Sequence, residues 1–158
     1  MDRGEIECRR ALAIVANLPR TIAQREIDTI AKLMNWDADS TEIVETKNSV
    51  GPGNIVLIEL RSNVAELFCG FGRIGASAES VASEAAGAAR SYLVSGAVAG
   101  EHLADQLLLP FALAGSGVFT AEKLNLHSRT NIEIICRFLP VDFVTSDVGG
   151  HTRVEVKM

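Results

Sequence analysis

Ile55-Val56-Leu57-Ile58-Glu59-Leu60, then Arg61-Ser62-Asn63, then Val64-Ala65-Glu66-Leu67-Phe68-Cys69-Gly70-Phe71, is the stretch on which the fold turns. Two apolar, β-branched or aromatic runs separated by a short polar break predict a hairpin, and the first run alternates poorly, as a buried strand does. Upstream, Gly51-Pro52-Gly53 marks a turn and residues 41–47 read as another strand, with Ile43 and Val44 at its centre. Before the polar break at 35–40, Ala23, Ile27, Ile30 and Met34 recur at helical spacing. Thr21 and Gln24 are placed as a capping box for that helix. Residues 6–15 are apolar enough for a first strand, although Arg9 and Arg10 interrupt it.

Downstream of the hairpin, Gly70, Gly72 and Gly75 form a flexible connection and Ser77 offers a cap. The helix that follows places Val81, Ala85, Ala88 and Tyr92 on one face, and its many alanines predict close packing on a sheet. The small, Gly-rich stretch 95–100 is the best boundary in the chain. Beyond it lies a helix from Glu101 to Ala114, which Pro110 is expected to kink or to end after its first half. A strand at 118–122 and a loop carrying His127 come next. A helix opened by Thr130 and Glu133 then runs to Pro140, and strands at 141–146 and 152–157 flank the turn Asp147-Val148-Gly149-Gly150. The order β-α-β-β-β-α, then α-β-α-β-β, predicts an α+β fold: mixed or antiparallel sheets with helices packed on one face.

Composition narrows the function. The 158 residues are 47% apolar and 22% charged, enough for a packed core. A net charge of −5 argues against broad, sequence-independent nucleic-acid binding, while leaving room for a local basic pocket that takes one nucleic-acid end. No apolar run approaches the ~18 residues of a membrane span, and the charged start MDRGEIECRR lacks the apolar centre of a secretory signal. Cys8, Cys69 and Cys136 form no CxxC pair, so a reduced, cytoplasmic protein without a zinc site is expected.

Three constellations carry possible chemistry. Glu101-His102-Leu103-Ala104-Asp105-Gln106 gathers polar residues at the start of an apolar helix, where free N–H groups suit a phosphate; the plainer reading is that its acids complement the helix dipole. His127-Ser128-Arg129-Thr130-Asn131 sets a histidine before a helix N-terminus, which favours neutral imidazole and attracts phosphate; the alternative is a solvent-exposed loop histidine. Gly51-Pro52-Gly53-Asn54 and Gly70-Phe71-Gly72-Arg73-Ile74-Gly75 read either as a phosphate cradle or, more simply, as tight turns. His151 has no ligand-like neighbours and reads as a surface residue.

The segment Gly100-Glu101-His102-Leu103-Ala104-Asp105-Gln106-Leu107-Leu108-Leu109-Pro110 resembles a signature of RNA 3'-terminal phosphate cyclases. His127-Ser128-Arg129-Thr130-Asn131-Ile132 followed by Arg137-Phe138-Leu139-Pro140-Val141 resembles that family's nucleophile motif, and Gly51-Pro52-Gly53-Asn54, Ser77-Ala78-Glu79 and Thr152-Arg153-Val154 match as well. The resemblance implies ATP-dependent conversion of an RNA 3'-phosphate to a 2',3'-cyclic phosphate, assisted by Mg²⁺ or Mn²⁺. His127 would be the adenylylated catalytic residue, and His102, Leu103, Ala104, Asp105 and Gln106 would contact the nucleotide, with Asp105 near metal or ribose. His102 stands where other members can carry tyrosine, and Ile74 stands where the family usually has arginine, with Arg73 one place earlier.

The family architecture joins βαβαββ repeats to an inserted α+β domain. It implies that residues 1–96 are the inserted domain and 97–158 the last segment of the catalytic domain, with as much sequence again expected before Met1. A segment of about 60 residues is marginal alone. Exposed apolar surface on the third and fourth helices is therefore expected, with an N-terminal partner chain or self-association. Two other readings follow from the same resemblance: a non-catalytic cyclase-like module for RNA or ribosome assembly, and an inactive truncated product. The fold shared with enolpyruvyl transferases is a weaker option, because the histidine motif does not fit it.

Overall fold

A computed structural model describes residues 2–158, which form two compact units. One comprises residues 5–90; the other comprises residues 91–158 together with the first few residues.

In the first unit the elements are β1 (Cys8–Ala16), α1 (Arg20–Met34), β2 (Thr41–Thr46), β3 (Gly53–Arg61), β4 (Ala65–Phe71) and α2 (Ala78–Ser95), whose last turn passes into the second unit. The sheet order is β2-β1-β3-β4. β1 and β2 run parallel across the α1 crossover, and the β1–β3 and β3–β4 pairs are antiparallel, so the sheet is mixed. β3 and β4 are the expected hairpin, with Ile55 opposite Phe71 and Arg61 opposite Ala65. α1 starts one residue before the expected cap: Pro19 occupies the N-cap, without a side-chain hydrogen bond. Its fixed φ already suits a helix entrance.

Small residues bring the helices close to the sheet. Ala11, Ala13, Val15, Val56, Ile58 and Leu60 are buried on the strands, and Ala82, Ala85, Ala86 and Ala89 are fully buried on α2. At Gly70 a Cβ would stand 2.3 Å from the Val81 carbonyl oxygen, so only glycine admits α2 at this distance. The inner face of α1 carries a buried acid: Glu26 is 0% exposed, one carboxyl oxygen accepts from the Asn54 amide, and the other has no partner. Burial pushes its pKa up, against the smaller opposing effect of the Asn54 hydrogen bond.

In the second unit, α3 (Glu101–Ala114) and α4 (Leu126–Phe138) accompany β5 (Ser116–Ala121), β6 (Asp142–Val148) and β7 (His151–Lys157). The antiparallel sheet has the order β5-β7-β6, with Val148 opposite His151 at the closing turn. Leu108, Ala112, Phe119, Ile135, Val154 and Val156 centre its core. Pro110 does not divide α3, which continues to Ala114 and ends on Gly115 at φ 70°. Proline lacks an N–H, yet the flanking turns and the buried Leu108–Ala112 stripe hold the helix together. His151 is half-buried rather than a free surface residue, and its Nδ1 is buried without a partner. Leu109, Leu113, Ile134 and Phe138 are exposed on α3 and α4, as the sequence led one to expect. No helix among the described residues is long and apolar enough to cross a membrane.

Gly70→Ala is expected to cost about 1–3 kcal/mol, because backbone rather than a movable side chain blocks the new methyl group; urea unfolding monitored by circular dichroism measures it. Glu26 binds its proton more tightly folded than unfolded, so its stabilising contribution is complete below the unfolded pKa and is lost as pH rises through the folded value. Glu26→Gln should therefore flatten the fall in stability as pH rises above the ordinary carboxylate range and raise Tm at neutral pH, measured in melts across a pH series.

Candidate functional site

α4 begins earlier than the sequence pattern suggested. Asn125 is its N-cap, and the Asn125 side-chain oxygen accepts from the Ser128 N–H at 2.7 Å. Thr130 takes no capping role; its hydroxyl donates to the Leu126 carbonyl one turn back. His127 consequently sits in the first turn of α4 and not in the preceding loop. Asparagine competes well for the cap because its short amide reaches the free N–H groups two and three residues on.

On α3, Glu101 and Asp105 are one helical turn apart, and on α4 His127 and Asn131 are likewise four residues apart, so each pair shares a face. The two faces meet as a polar ladder. Asn125 Nδ2 donates to Glu101 Oε1 at 2.6 Å. His127 Nδ1 lies 3.1 Å from Asp105 Oδ2, and Asn131 Nδ2 donates to Asp105 Oδ1 at 3.3 Å. Both oxygens of Asp105 are thus engaged by α4. The His127 side chain is 75% exposed and that of Asp105 only 22%, so the carboxylate is the fixed partner and the ring projects outward. A neutral ring with its proton on Nδ1, donated to Asp105, leaves the Nε2 lone pair free at the rim of a helix N-terminus. Nucleophilic attack through Nε2 requires that tautomer.

The remaining expected binding residues divide by helix face. His102 and Gln106 are exposed; Ala104 is buried and Leu103 packs partly buried against the core. The structure therefore brings Asp105 to His127, leaves His102 and Gln106 open on α3, and gives Leu103 and Ala104 side chains packing roles. Sequence reasoning missed Asn125 as a site residue; it grouped Asn131 with His127, and the four-residue spacing is the signal that sets the two on one face against the Glu101–Asp105 pair. Ser128, next to His127, is fully buried with its hydroxyl unpartnered. Nearby, burial and the Glu101 charge raise the Glu122 pKa.

Among the described residues no three side chains of metal-ligating type gather at one point. Asp105 is committed to His127 and Asn131, and Glu101 to Asn125, so this ladder does not make a metal centre by itself. The glycine motifs lie elsewhere, in the first unit. Pro52, Gly53, Asn54, Gly72, Arg73 and Ser77 line a cleft of about 390 Å³. Its polar groups are internally matched: Asn54 bonds Glu26, Arg73 pairs with Glu84, and Ser77 accepts from the Ser80 N–H. Arg25 pairs with Glu79, and that guanidinium holds the Glu79 pKa down at about 2. The tight-turn reading accounts for this corner.

The family model for the insert domain of RNA 3'-terminal phosphate cyclase matches residues 1–94. The chain belongs to the RNA 3'-terminal phosphate cyclase family. It is 52% identical over 155 residues to an RNA 3'-terminal phosphate cyclase of Koribacter versatilis (strain Ellin345), covering 98% of this chain and 44% of that protein. It is 39% identical to the cyclase of Ectopseudomonas mendocina (strain ymp), covering 98% of this chain and 46% of the relative, and 41% identical to that of Salmonella paratyphi C (strain RKS4594), covering 99% and 45%. The cyclase-family chain thus spans less than half the length of these curated relatives.

In ¹⁵N NMR spectra of the chain at about pH 8.5, where a typical imidazole is neutral, His127 should populate the Nδ1–H tautomer. Asp105→Ala should lower the Nδ1–H to Nε2–H ratio about tenfold, and Asn131→Ala about threefold, the scale of a lost charge-assisted hydrogen bond and a weaker neutral one.

Proposed function

We propose that His127 is the covalent nucleophile of an ATP-dependent RNA 3'-phosphate cyclase, and that this chain carries the nucleophile while the complete reaction draws on residues beyond it. The observation that carries the reading is the contact between His127 Nδ1 and Asp105 Oδ2 at 3.1 Å, with the His127 ring largely exposed in the first turn of α4. The family resemblance supplies the substrates.

His127 Nε2 attacks the α-phosphorus of ATP; a new N–P bond forms, the bond to the leaving oxygen breaks, and pyrophosphate departs. Asp105 accepts the Nδ1–H and steadies the positive charge that grows on the ring. His127 stands in the first turn of α4, and a helix N-terminus favours the anionic phosphate it would receive. The adenylyl group then passes from His127 to an oxygen of the RNA 3'-phosphate. The adjacent 2'-hydroxyl attacks this activated phosphorus, AMP leaves, and a 2',3'-cyclic phosphate remains. A divalent cation, when bound, would supply charge neutralisation on the ATP phosphates. His102 and Gln106, both exposed on α3, are available to the nucleoside.

Incubation with α-labelled ATP and Mg²⁺ or Mn²⁺, with and without a matching N-terminal segment from a full-length relative, tests the reading. Label should appear on His127, vanish in His127→Ala, and fall about a hundredfold in rate in Asp105→Asn, the scale of losing a charged hydrogen-bonding partner. Complete lack of labelling with the N-terminal segment present would instead favour a non-catalytic binding module or an inactive fragment.

A further inference from the structure

The sheet of the first unit has helices on one face only. Its buried strand positions, such as Ala13, Val56 and Phe68, and its close approach at Gly70 all lie on the side of α1 and α2. The opposite face is expected to be polar wherever it meets water. It is not. The strand registers align Val44, Ile14, Ile55 and Phe71 in one unbroken apolar row across all four strands. The next row continues it with Leu12, Leu57 and Cys69 beside Glu42. Phe71 is 63% exposed and Leu67, in the third row, 51% exposed.

Charges stand only at one end of this face. Arg10 pairs with Glu42 and Arg61 pairs with Glu59, two cations against two carboxylates. The face therefore has no net charge and no unmatched cation. That disfavours a phosphate backbone, which binds through unmatched Lys and Arg. It suits an identical face, because a two-fold mate brings apolar rows together and meets no excess of like charge.

We propose that this open sheet face docks against the same face of a second copy of the chain, forming a sandwich of two sheets with the helices outside. The apolar rows interdigitate about 10 Å between sheets, as in aligned sheet packing. Four strands and three rows give a footprint of roughly 400 Å² per copy. That lies below the ~800 Å² per partner of standard stable interfaces, so the dimer is weak and reversible, with Kd of about 10–100 µM. This inference is independent of the role of His127.

Sedimentation velocity of the chain from about 1 to 500 µM, a range bracketing that Kd, tests it. Wild type should shift from monomer to dimer. Phe71→Lys and Leu67→Lys, both at exposed positions and checked for unchanged circular dichroism, should each move the transition at least tenfold upward in concentration. Phe138→Lys, on the exposed apolar side of α4, should leave it in place. Wild type monomeric throughout, or association lost in Phe138→Lys but kept in both sheet variants, would overturn the proposal. A full-length relative that stays monomeric while the chain dimerises through this face would overturn it for the intact protein, assigning the cover to the preceding segment. Binding of a single-stranded oligoribonucleotide by a monomer, abolished in Phe71→Lys, would overturn it in favour of an RNA platform.

Discussion

The second unit is organised by a carboxylate that is shared. Asp105 projects from α3 and meets His127 with one oxygen and Asn131 with the other. Because Asp105 is mostly buried and His127 mostly exposed, the side with less freedom sets the geometry of the side with more. A lone exposed histidine would rotate among several rotamers, each presenting a different nitrogen. Tying Nδ1 to a fixed acceptor removes that choice and leaves Nε2 outward. The Asn125–Glu101 hydrogen bond repeats the device one turn away and holds the same helix ends together. Beneath the ladder, Leu108 and Ile135 belong to the common core. The position of the ring is thus a consequence of core packing transmitted through one acid.

The first unit follows a different logic. Alanines and Gly70 let α2 lie almost on the strands, which leaves little space for large side chains on that face. Glu26 is the exception: a buried acid held by Asn54, with one oxygen unmatched. A charged carboxylate there carries a desolvation cost, so the fold favours its protonated form. The larger apolar residues on the other side of the sheet, Ile14, Ile55 and Phe71 among them, are displaced from the helix layer. Close helix packing on one face and an apolar second face are two sides of the same partition, since alternating strand residues must point both ways.

Much of this organisation was legible in the sequence. The hairpin at β3 and β4, the helical stripe through Ala23, Ile27 and Ile30, and the close-packing alanines of α2 all depend on local periodicity, which a sequence displays directly. The start of α4 was misplaced because Thr130 and Glu133 imitate a capping box, whereas Asn125 wins the cap by a contact that no pattern ranks. Pro110 was overweighted for a related reason: proline removes one hydrogen bond, but tertiary packing of Leu108 and Ala112 outweighs it. His127 and Asp105 were both singled out, yet their contact was not. It depends on the packing of two helices separated by β5, and sequence spacing carries no record of that crossing. The open sheet face was hidden similarly, because a strand pattern with apolar residues at every position does not reveal whether one face or two will be covered.

Charge around His127 must satisfy two demands that pull apart. In the proposed reaction a phosphate meets the first turn of α4, and a helix N-terminus favours such an anion. The same phosphate is repelled by any bare carboxylate beside the ring. Asp105 resolves the conflict by its engagement: one oxygen accepts a hydrogen bond from Asn131, the other lies 3.1 Å from His127 Nδ1, and the side chain is only 22% exposed. In the proposed reaction its negative charge faces Nδ1, where it would assist a developing cation on the ring. Glutamate, longer by a methylene, would not keep that carboxylate behind the ring with the same economy of motion, and asparagine would keep the position while losing the charge. The arrangement therefore asks specifically for an aspartate one helical turn after Glu101, opposite a histidine in the first turn of the neighbouring helix.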